Sequence, residues 1–289
     1  MELRQVTALP EPLLAQAFAL CDAATAADGF APLSEQFLRG LAEGNTHVLL
    51  FAPNLVALAA YDGATIELVV HPDHRRRGYA TALLDALPSA SIWAHGNLPA
   101  AQAFTAARNM RPVRTLLVMG ITGAPLADAA RRAESALPAG FHESTYAALG
   151  ESALPAWLRI NNEAFSWHPE QGGWDLARLR HALDVPWFSA PGVRFLMSDS
   201  GDMAGFHWTK QHSNRLGEIY VVGLGAAYRG QGLGTPLICL GLAHLVSIGC
   251  DEVILYVEAD NEPAVQAYER LGFTTKEEHV AYDPAHDPA

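Results

Sequence analysis

Glu218-Ile219-Tyr220-Val221-Val222-Gly223-Leu224-Gly225-Ala226-Ala227-Tyr228-Arg229-Gly230-Gln231-Gly232-Leu233-Gly234 is the stretch whose reading decides the fold. Ile219 to Val222 reads as a strand, and the glycines and alanines after it read as a turn. Thr235 to Val246 then reads as an apolar helix, Val253 to Glu258 as a buried strand, and Glu262 to Leu271 as a helix that Gly272 stops. A glycine-rich turn between a strand and a helix leaves several backbone N–H groups without intrahelical partners, pointing at one spot with the positive end of the helix dipole behind them. Such a spot binds a phosphate.

The spacing narrows which phosphate ligand it takes. Gly230-x-Gly232-x-Gly234 lacks the third glycine position of a dinucleotide fingerprint, and no Lys-Ser or Lys-Thr follows as a Walker loop requires. The chain has instead Arg229-x-x-Gly232-x-Gly234 after a valine-rich strand, then Asn261, then Tyr268-x-x-x-Gly272-Phe273. In these residues it resembles the GNAT acetyltransferase superfamily. The resemblance implies that the turn holds the pyrophosphate of acetyl-CoA and that the Tyr268 hydroxyl faces the thioester sulfur.

The same pieces occur earlier in the chain. Thr65 to Val70 reads as a strand running through His71 and His74 into Arg75, Arg76, Arg77, Gly78, Tyr79, Ala80 and Thr81, followed by a helix over Ala82 to Leu87 and a short strand over Ser91 to Ala94. Asn97-Leu98-Pro99-Ala100-Ala101-Gln102-Ala103-Phe104 matches Asn261-Glu262-Pro263-Ala264-Val265-Gln266-Ala267-Tyr268 at five of eight positions. Gly78 pairs with Gly232 at an offset of 154 and Asn97 with Asn261 at 164. Two copies of one domain account for this. The expected architecture is α/β, with two tandem GNAT-like domains, each a mixed central sheet flanked by helices. The linker is expected in the Gly-, Pro- and Ala-rich region 120–140, with the cut near Pro138, giving domains 1–137 and 138–289. Before the first turn, Glu11 to Asp28 reads as a helix, Ser34 as the cap of another, and Thr46 to Ala52 and Leu55 to Tyr61 as strands.

Each chemical position can be compared between the copies. Ala64 stands at the position of Glu218 and Phe104 at that of Tyr268, whereas Arg75, Gly78 and Ala80 repeat Arg229, Gly232 and Gly234. The expectation is one catalytic domain, the second, and a first domain able to bind the cofactor without turning it over.

The 289 residues suit two domains, and a formal charge of −12 argues against nucleic acid or an anionic membrane as partner. No run of eighteen apolar residues and no signal-like start is found, so a cytoplasmic monomer is expected. Cys21, Cys239 and Cys250 lack metal-site spacing and are expected to be reduced. His71 and His74 have no carboxylate or cysteine partner in a metal-like pattern, and no metal is expected. The three arginines at 75–77 would attract coenzyme A phosphates.

Acetyl transfer to an amine needs a base for the ammonium proton, donors for the oxyanion and a partner for the departing thiolate. Glu218, on the strand entering the turn, is the candidate base. The backbone N–H groups of Gly223 and Leu224 are candidate oxyanion donors, and Tyr268 is the candidate thiolate partner. Asn261 is also a good helix N-cap.

Asp28 to Gln36, His168 to Trp174, His207 to Lys210 and Leu255 to Asn261 resemble a tandem branch of the superfamily that acetylates the cysteinyl amine of a small thiol pseudodisaccharide. That resemblance implies that Glu35, Glu170, Lys210, Glu218 and Tyr256 contact the substrate. It implies one acetyl-CoA at Leu68, Val69 and Val70 with Arg76, Arg77, Gly78, Tyr79, Ala80 and Thr81. A second would lie at Val222, Gly223 and Leu224, Arg229, Gly230, Gln231, Gly232, Leu233, Gly234 and Thr235, and Asn261, Glu262, Pro263, Ala264, Val265 and Gln266. Two departures stand out: Gly225-Ala226 where the family commonly has Asp-Pro, and a short Lys210 to Glu218 loop. A tandem acetyltransferase for another amine, such as an aminoglycoside or a peptide N-terminus, and a non-catalytic acetyl-CoA sensor are the alternatives.

Overall fold

The computed structural model describes residues 1–135, 137–166 and 171–285. Its strands are β1 (Glu2–Val6), β2 (Thr46–Phe51), β3 (Leu55–Tyr61), β4 (Thr65–Val70), β5 (Ser91–Ala94), β6 (Arg111–Thr122), β7 (Phe141–Thr145), β8 (Val193–Ser198), β9 (Met203–Gln211), β10 (Leu216–Leu224), β11 (Glu252–Glu258) and β12 (Thr274–Asp283). Its α-helices are α1 (Glu11–Asp28), α2 (Glu35–Gly40), α3 (Tyr79–Asp85), α4 (Pro99–Ala107), α5 (Gly123–Ser135), α6 (Tyr146–Leu149), α7 (Leu154–Ala164), α8 (Leu176–Leu183), α9 (Gly234–Ser247) and α10 (Glu262–Leu271). Residues 1–116 with 277–289 form one compact unit and 117–276 a second.

In the first unit, alternation along the strands sorts side chains to two faces. Leu49, Leu58, Ala60 and Val69 pack with Ala17, Leu20 and Ala24 of α1 and Phe37 of α2. Their neighbours Val48, Leu50, Ala57, Ala59 and Ile66 pack with Leu83 and Leu84 of α3. Helices on both faces explain why β3 is buried along nearly its whole length. The strand order is β1-β2-β3-β4-β5-β12, antiparallel except for β4 and β5, and Val280–Tyr282 of β12 close the unit by pairing with Ile92–Ala94.

The second unit repeats this scheme in the order β6-β11-β10-β9-β8-β7, with β10 and β11 parallel. Leu196, Ala204, Ile219, Val253 and Leu255 face α9, whose Leu237, Leu242 and Leu245 are fully buried. Phe195, Phe206 and Trp208 point the other way, onto Trp157 and Ile160 of α7 and Leu179 of α8.

Local differences from the sequence reading have physical causes. The helix expected over Ala82 to Leu87 begins at Tyr79, because Gly78 takes φ +78° and turns the chain into α3 at once. The region 120–140 holds the end of β6 and helix α5, which packs into the second unit's core through Leu126 and Ala129, so a cut at Pro138 falls within that unit. Asn97 and Asn261, matched in sequence, act differently. Asn261 caps α10 by accepting from Ala264 N, whereas Asn97 has φ +40° and accepts from the Tyr282 hydroxyl at 2.8 Å.

Candidate active site

Each unit contains one parallel strand pair, and in each the pair parts. β10 and β11 pair only over Leu216–Ile219 with Glu252–Leu255, although β10 continues to Leu224 and β11 to Glu258. A bulge at Tyr220 in the β9–β10 register coincides with the parting. The β11-facing edge beyond Ile219 is therefore without a strand partner, open at Val222 and Leu224 while the backbone groups of Gly223 face Phe206 of β9, and it suits an extended amide-bearing ligand. In the first unit β4 and β5 pair only at Thr65–Ser91 and Ile66–Ile92, leaving Leu68 to Val70 on an open edge. Gly223 is tied to this arrangement, since an added Cβ would lie 3.0 Å from Ala164 of α7.

The strands lead to matching turns. Gly230 and Gly232 have φ +74° and +76°, with nothing within 4 Å of an added Cβ, so they serve backbone conformation and not close approach. Arg76 takes φ +62° where the second unit has Gly230. In α9 the first bond is Leu237 N to Leu233 O at 3.1 Å, so the N–H groups of Gly234 and Thr235 face outward at the positive end of a fourteen-residue helix.

Arg229 and Arg75 brace the turns. Arg229 Nε donates to Leu224 O at 3.2 Å and Nη2 to Glu163 O at 2.6 Å. Arg75 Nε donates likewise to Val70 O at 3.2 Å, and both of its Nη atoms reach Asp28 at 2.7 Å. With these side chains engaged, the backbone N–H groups of Gly234 and Thr235 remain as open donors at the second turn. Glu163 steadies the second turn further by accepting from Ala226 N at 2.9 Å, and this bond with the Arg159 pair holds its carboxyl below the usual range.

A cavity of about 570 Å³ lies in the first unit, lined by Leu68, Val69, Val70, Arg76, Gly78, Tyr79, Ala80 and Thr81 from the strand and turn, with Trp93, His95 and Phe104 across from them. Arg77 lies outside that lining and donates to Asp73 O at 3.0 Å. In the second unit Asn261 begins α10, Ala264 and Val265 pack on the core, and Glu262, Pro263 and Gln266 are exposed.

Glu218 is 5% exposed, on the strand that enters the parting. Its cross-strand partner is Lys210, whose ammonium sits 5.1 Å from the Trp187 ring and 5.9 Å from the Tyr220 ring. Opposite Glu218 on β11 is Ile254, and Tyr256, two residues on, is on the same face and 49% exposed. Lys210, Glu218 and Tyr256 thus share one face of the sheet. Tyr268 is buried beside Phe273 with ring centroids 5.6 Å apart, and burial pushes its phenol up to about 12. Glu35 is in the first unit, in the first turn of α2, and Glu170 lies outside the described residues.

The other motifs resolve into supports. His207 is fully buried and its Nδ1 lies 3.1 Å from Leu237 O, while burial pushes its pKa down to about 4. Its neutral Nδ1–H therefore donates to α9. Gln171 and Trp174 of the second motif are clamped by α7: Asn161 exchanges two amide bonds with Gln171 at 2.8 and 2.9 Å, and Asn162 two with Trp174 at 2.8 and 2.9 Å. The sequence reading missed this clamp. It also missed His212, whose Nε2 lies 2.6 Å from Glu218 Oε2. The available signal was the short hairpin, which puts a histidine two residues beyond Lys210.

His71 caps its turn by accepting from Asp73 N, and the three cysteines are free and buried. Among the described residues no group of three His, Cys, Asp or Glu gathers to hold a metal, and no helix is long and apolar enough to cross a membrane.

Two copies of a mixed sheet, each with a parted parallel pair running through a tight turn into a helix N-terminus, define a tandem acetyltransferase of the GNAT type. The model of the acetyltransferase (GNAT) family matches residues 154–273, all in the second unit. A mycothiol acetyltransferase of Corynebacterium efficiens is 50% identical over 93% of this chain and 92% of its own length. The chain belongs to the mycothiol acetyltransferase family. Among solved structures, a GCN5-related N-acetyltransferase from Sphaerobacter thermophilus is similar, with TM-score 0.74 and 23% identity over 97% of this chain and 94% of that one. A tandem GNAT protein from the clavulanic acid biosynthesis pathway aligns over 100% of both chains, with TM-score 0.70 and 19% identity. These last two share the fold.

Proposed function

We propose that this chain transfers the acetyl group of acetyl-CoA to the cysteinyl amine of desacetylmycothiol, giving mycothiol and CoA, with the chemistry in the second unit. The observation that carries the site is the buried Glu218 at the parting of β10 and β11, on one sheet face with Lys210 and Tyr256. Glu218 takes the ammonium proton. An α-amine titrates at about 7.7 to 8.0, so roughly a tenth is neutral at pH 7 and a carboxylate base suffices. The N–H group of Leu224, on the open edge, stabilises the oxyanion, Gly223 being turned toward β9, and the N–H groups of Gly234 and Thr235 hold the pyrophosphate. Lys210 and Tyr256 hold the sugar and inositol hydroxyls.

Tyr268 steadies the leaving thiolate by donating a hydrogen bond. With its phenol pushed up to about 12 and a thiol near 8.5, full proton transfer is uphill by about 5 kcal/mol. The first unit holds a second acetyl-CoA in its cavity without turnover, since Ala64 and Phe104 supply neither base nor hydroxyl. The protein acts as a cytoplasmic monomer.

The test is release of CoA thiol with desacetylmycothiol beside a panel of aminoglycosides and N-terminal peptides. A specificity constant at least tenfold higher for desacetylmycothiol is expected. Equal or better turnover of another amine would replace the substrate assignment, and no turnover with tight acetyl-CoA binding would favour a sensor.

A further inference from the structure

Glu218 has a proton to lose as well as one to take. At neutral pH the reaction begins from an ammonium and ends in an amide and a thiol. The N–C bond forms, the C–S bond breaks, and of the two protons leaving nitrogen one ends on sulfur and one reaches solvent. Glu218 is 5% exposed, so little of its carboxylate meets solvent directly. What touches it is His212, with Nε2 2.6 Å from Oε2 and a side chain 31% exposed against 7% for Glu218.

The hairpin builds this contact. His212 N donates to Leu216 O at 2.9 Å and Leu216 N to Ser213 Oγ at 3.0 Å, closing β9 onto β10 through four residues. The register Gly217–Gln211 and Glu218–Lys210 then puts His212 on the same sheet face as Glu218, two pairs further out. The charged groups around the pair are Lys210 across the strands, drawn toward Trp187 and Tyr220, and Arg215, bonded to Asp251 at the hairpin tip. His212 is the residue positioned between buried carboxylate and solvent.

We propose that His212 is the proton outlet of this active site, a positioning and relay residue acting through Glu218. The proposal rests on the reading of Glu218 as the base. Glu218 passes its proton from Oε2 to Nε2 of His212, the ring turns its Nε2 edge to solvent and releases that same proton to water or buffer, and it returns with Nδ1–H unchanged and Nε2 free to accept, leaving the carboxylate ready for the next ammonium.

The experiment is steady-state CoA release by the full chain in dilute, non-transferring buffer, for wild type, His212→Ala, His212→Gln and Glu218→Gln, each with added imidazole. For His212→Ala and His212→Gln, kcat is expected to fall about tenfold, less than loss of the base itself because water partly substitutes. KM for acetyl-CoA stays unchanged, and in His212→Ala kcat climbs back with imidazole to a plateau. A melting temperature equal to wild type for either variant makes the comparison one of chemistry. His212→Ala at the wild-type rate while Glu218→Gln is slow would overturn the relay alone, as would a slow His212→Ala that imidazole does not rescue. Glu218→Gln at the wild-type rate would overturn the base and the relay together.

Discussion

Gly241 lies in the middle of α9, where its missing side chain makes room for the His207 ring. A Cβ added there would overlap ring atoms Cε1, Nδ1 and Nε2 of a side chain that is itself fully buried and bonded to Leu237 O. Non-bonded carbons need roughly 3.5 to 4 Å, so Gly241→Ala must shift α9 or the ring by on the order of 1 Å. Overpacking of this kind costs about 1–3 kcal/mol, and losing the His207–Leu237 bond adds about 1. Better helix propensity returns about 1 kcal/mol. The net loss is about 1–3 kcal/mol, a fall of roughly 2–12 °C in the melting temperature of a unit this size. Gly234→Ala in the same helix is the contrast, because an added Cβ there meets nothing within 4 Å and Ala80 fills the corresponding place in the first unit. It is expected to stay within about 0.5 kcal/mol of wild type. Thermal melts followed by circular dichroism give both numbers. Equal melting temperatures for the two variants would refute the argument that His207 against a bare Gly241 sets the position of α9, and with it of the phosphate turn.

Tyr268→Phe should fold normally, as Phe104 does in the first unit, and lower kcat by about 10- to 100-fold, the worth of one hydrogen bond to a charged group, with little change in KM for acetyl-CoA; an unchanged kcat would remove Tyr268 from the chemistry. His207 binds its proton near pH 4 in the fold and near 6.5 unfolded, so the unfolded chain protonates first and stability present above pH 6.5 is lost as the pH falls toward 4. About 2 kcal/mol of this is gone by pH 5, and His279 in the first unit, also pushed down to about 4, adds in the same direction. Urea midpoints should therefore be lower at pH 5 than at pH 7, and equal midpoints would contradict the neutral burial of His207. Asn161→Ala should cost about 2–3 kcal/mol, since it removes both amide bonds to Gln171 at a position 1% exposed, and should raise KM for the amine more than for acetyl-CoA; a variant with wild-type KM values would show that the 171–174 segment has no part in substrate binding.

Much of the fold was legible because two different signals agreed. The glycines at 230 and 232 announce a left-handed turn wherever they fall, and the repeat of that turn at Arg75 to Ala80 announces a second domain. Strand ends were readable for Leu55–Tyr61 and Ser91–Ala94 because apolar runs met turn residues. The cut near Pro138 misled because local composition there is linker-like, while the long-range contacts of α5 with the second core are invisible to composition. Asn97 and Asn261 looked equivalent because a match at five of eight positions says nothing of Tyr282, which reaches Asn97 from 185 positions away.

In the site, the types of the chemical residues were readable and their company was not. Glu218 could be singled out, but that it is buried against His212 depends on the hairpin register. Arg75 read as a phosphate ligand from charge and Arg229 from the resemblance, whereas their guanidinium groups meet strand-end carbonyls, which neither signal reports. His207 read as part of a substrate motif, and the structure makes it the peg on which α9 rests.

The most direct test is a single-turnover acetyl transfer to desacetylmycothiol by Glu218→Gln, with acetyl-CoA affinity measured in parallel by calorimetry. The account predicts a rate lower by about 10²- to 10⁴-fold, the ordinary contribution of a general base, with acetyl-CoA affinity within about twofold of wild type. A Glu218→Gln enzyme that acetylates desacetylmycothiol at the wild-type rate would contradict it.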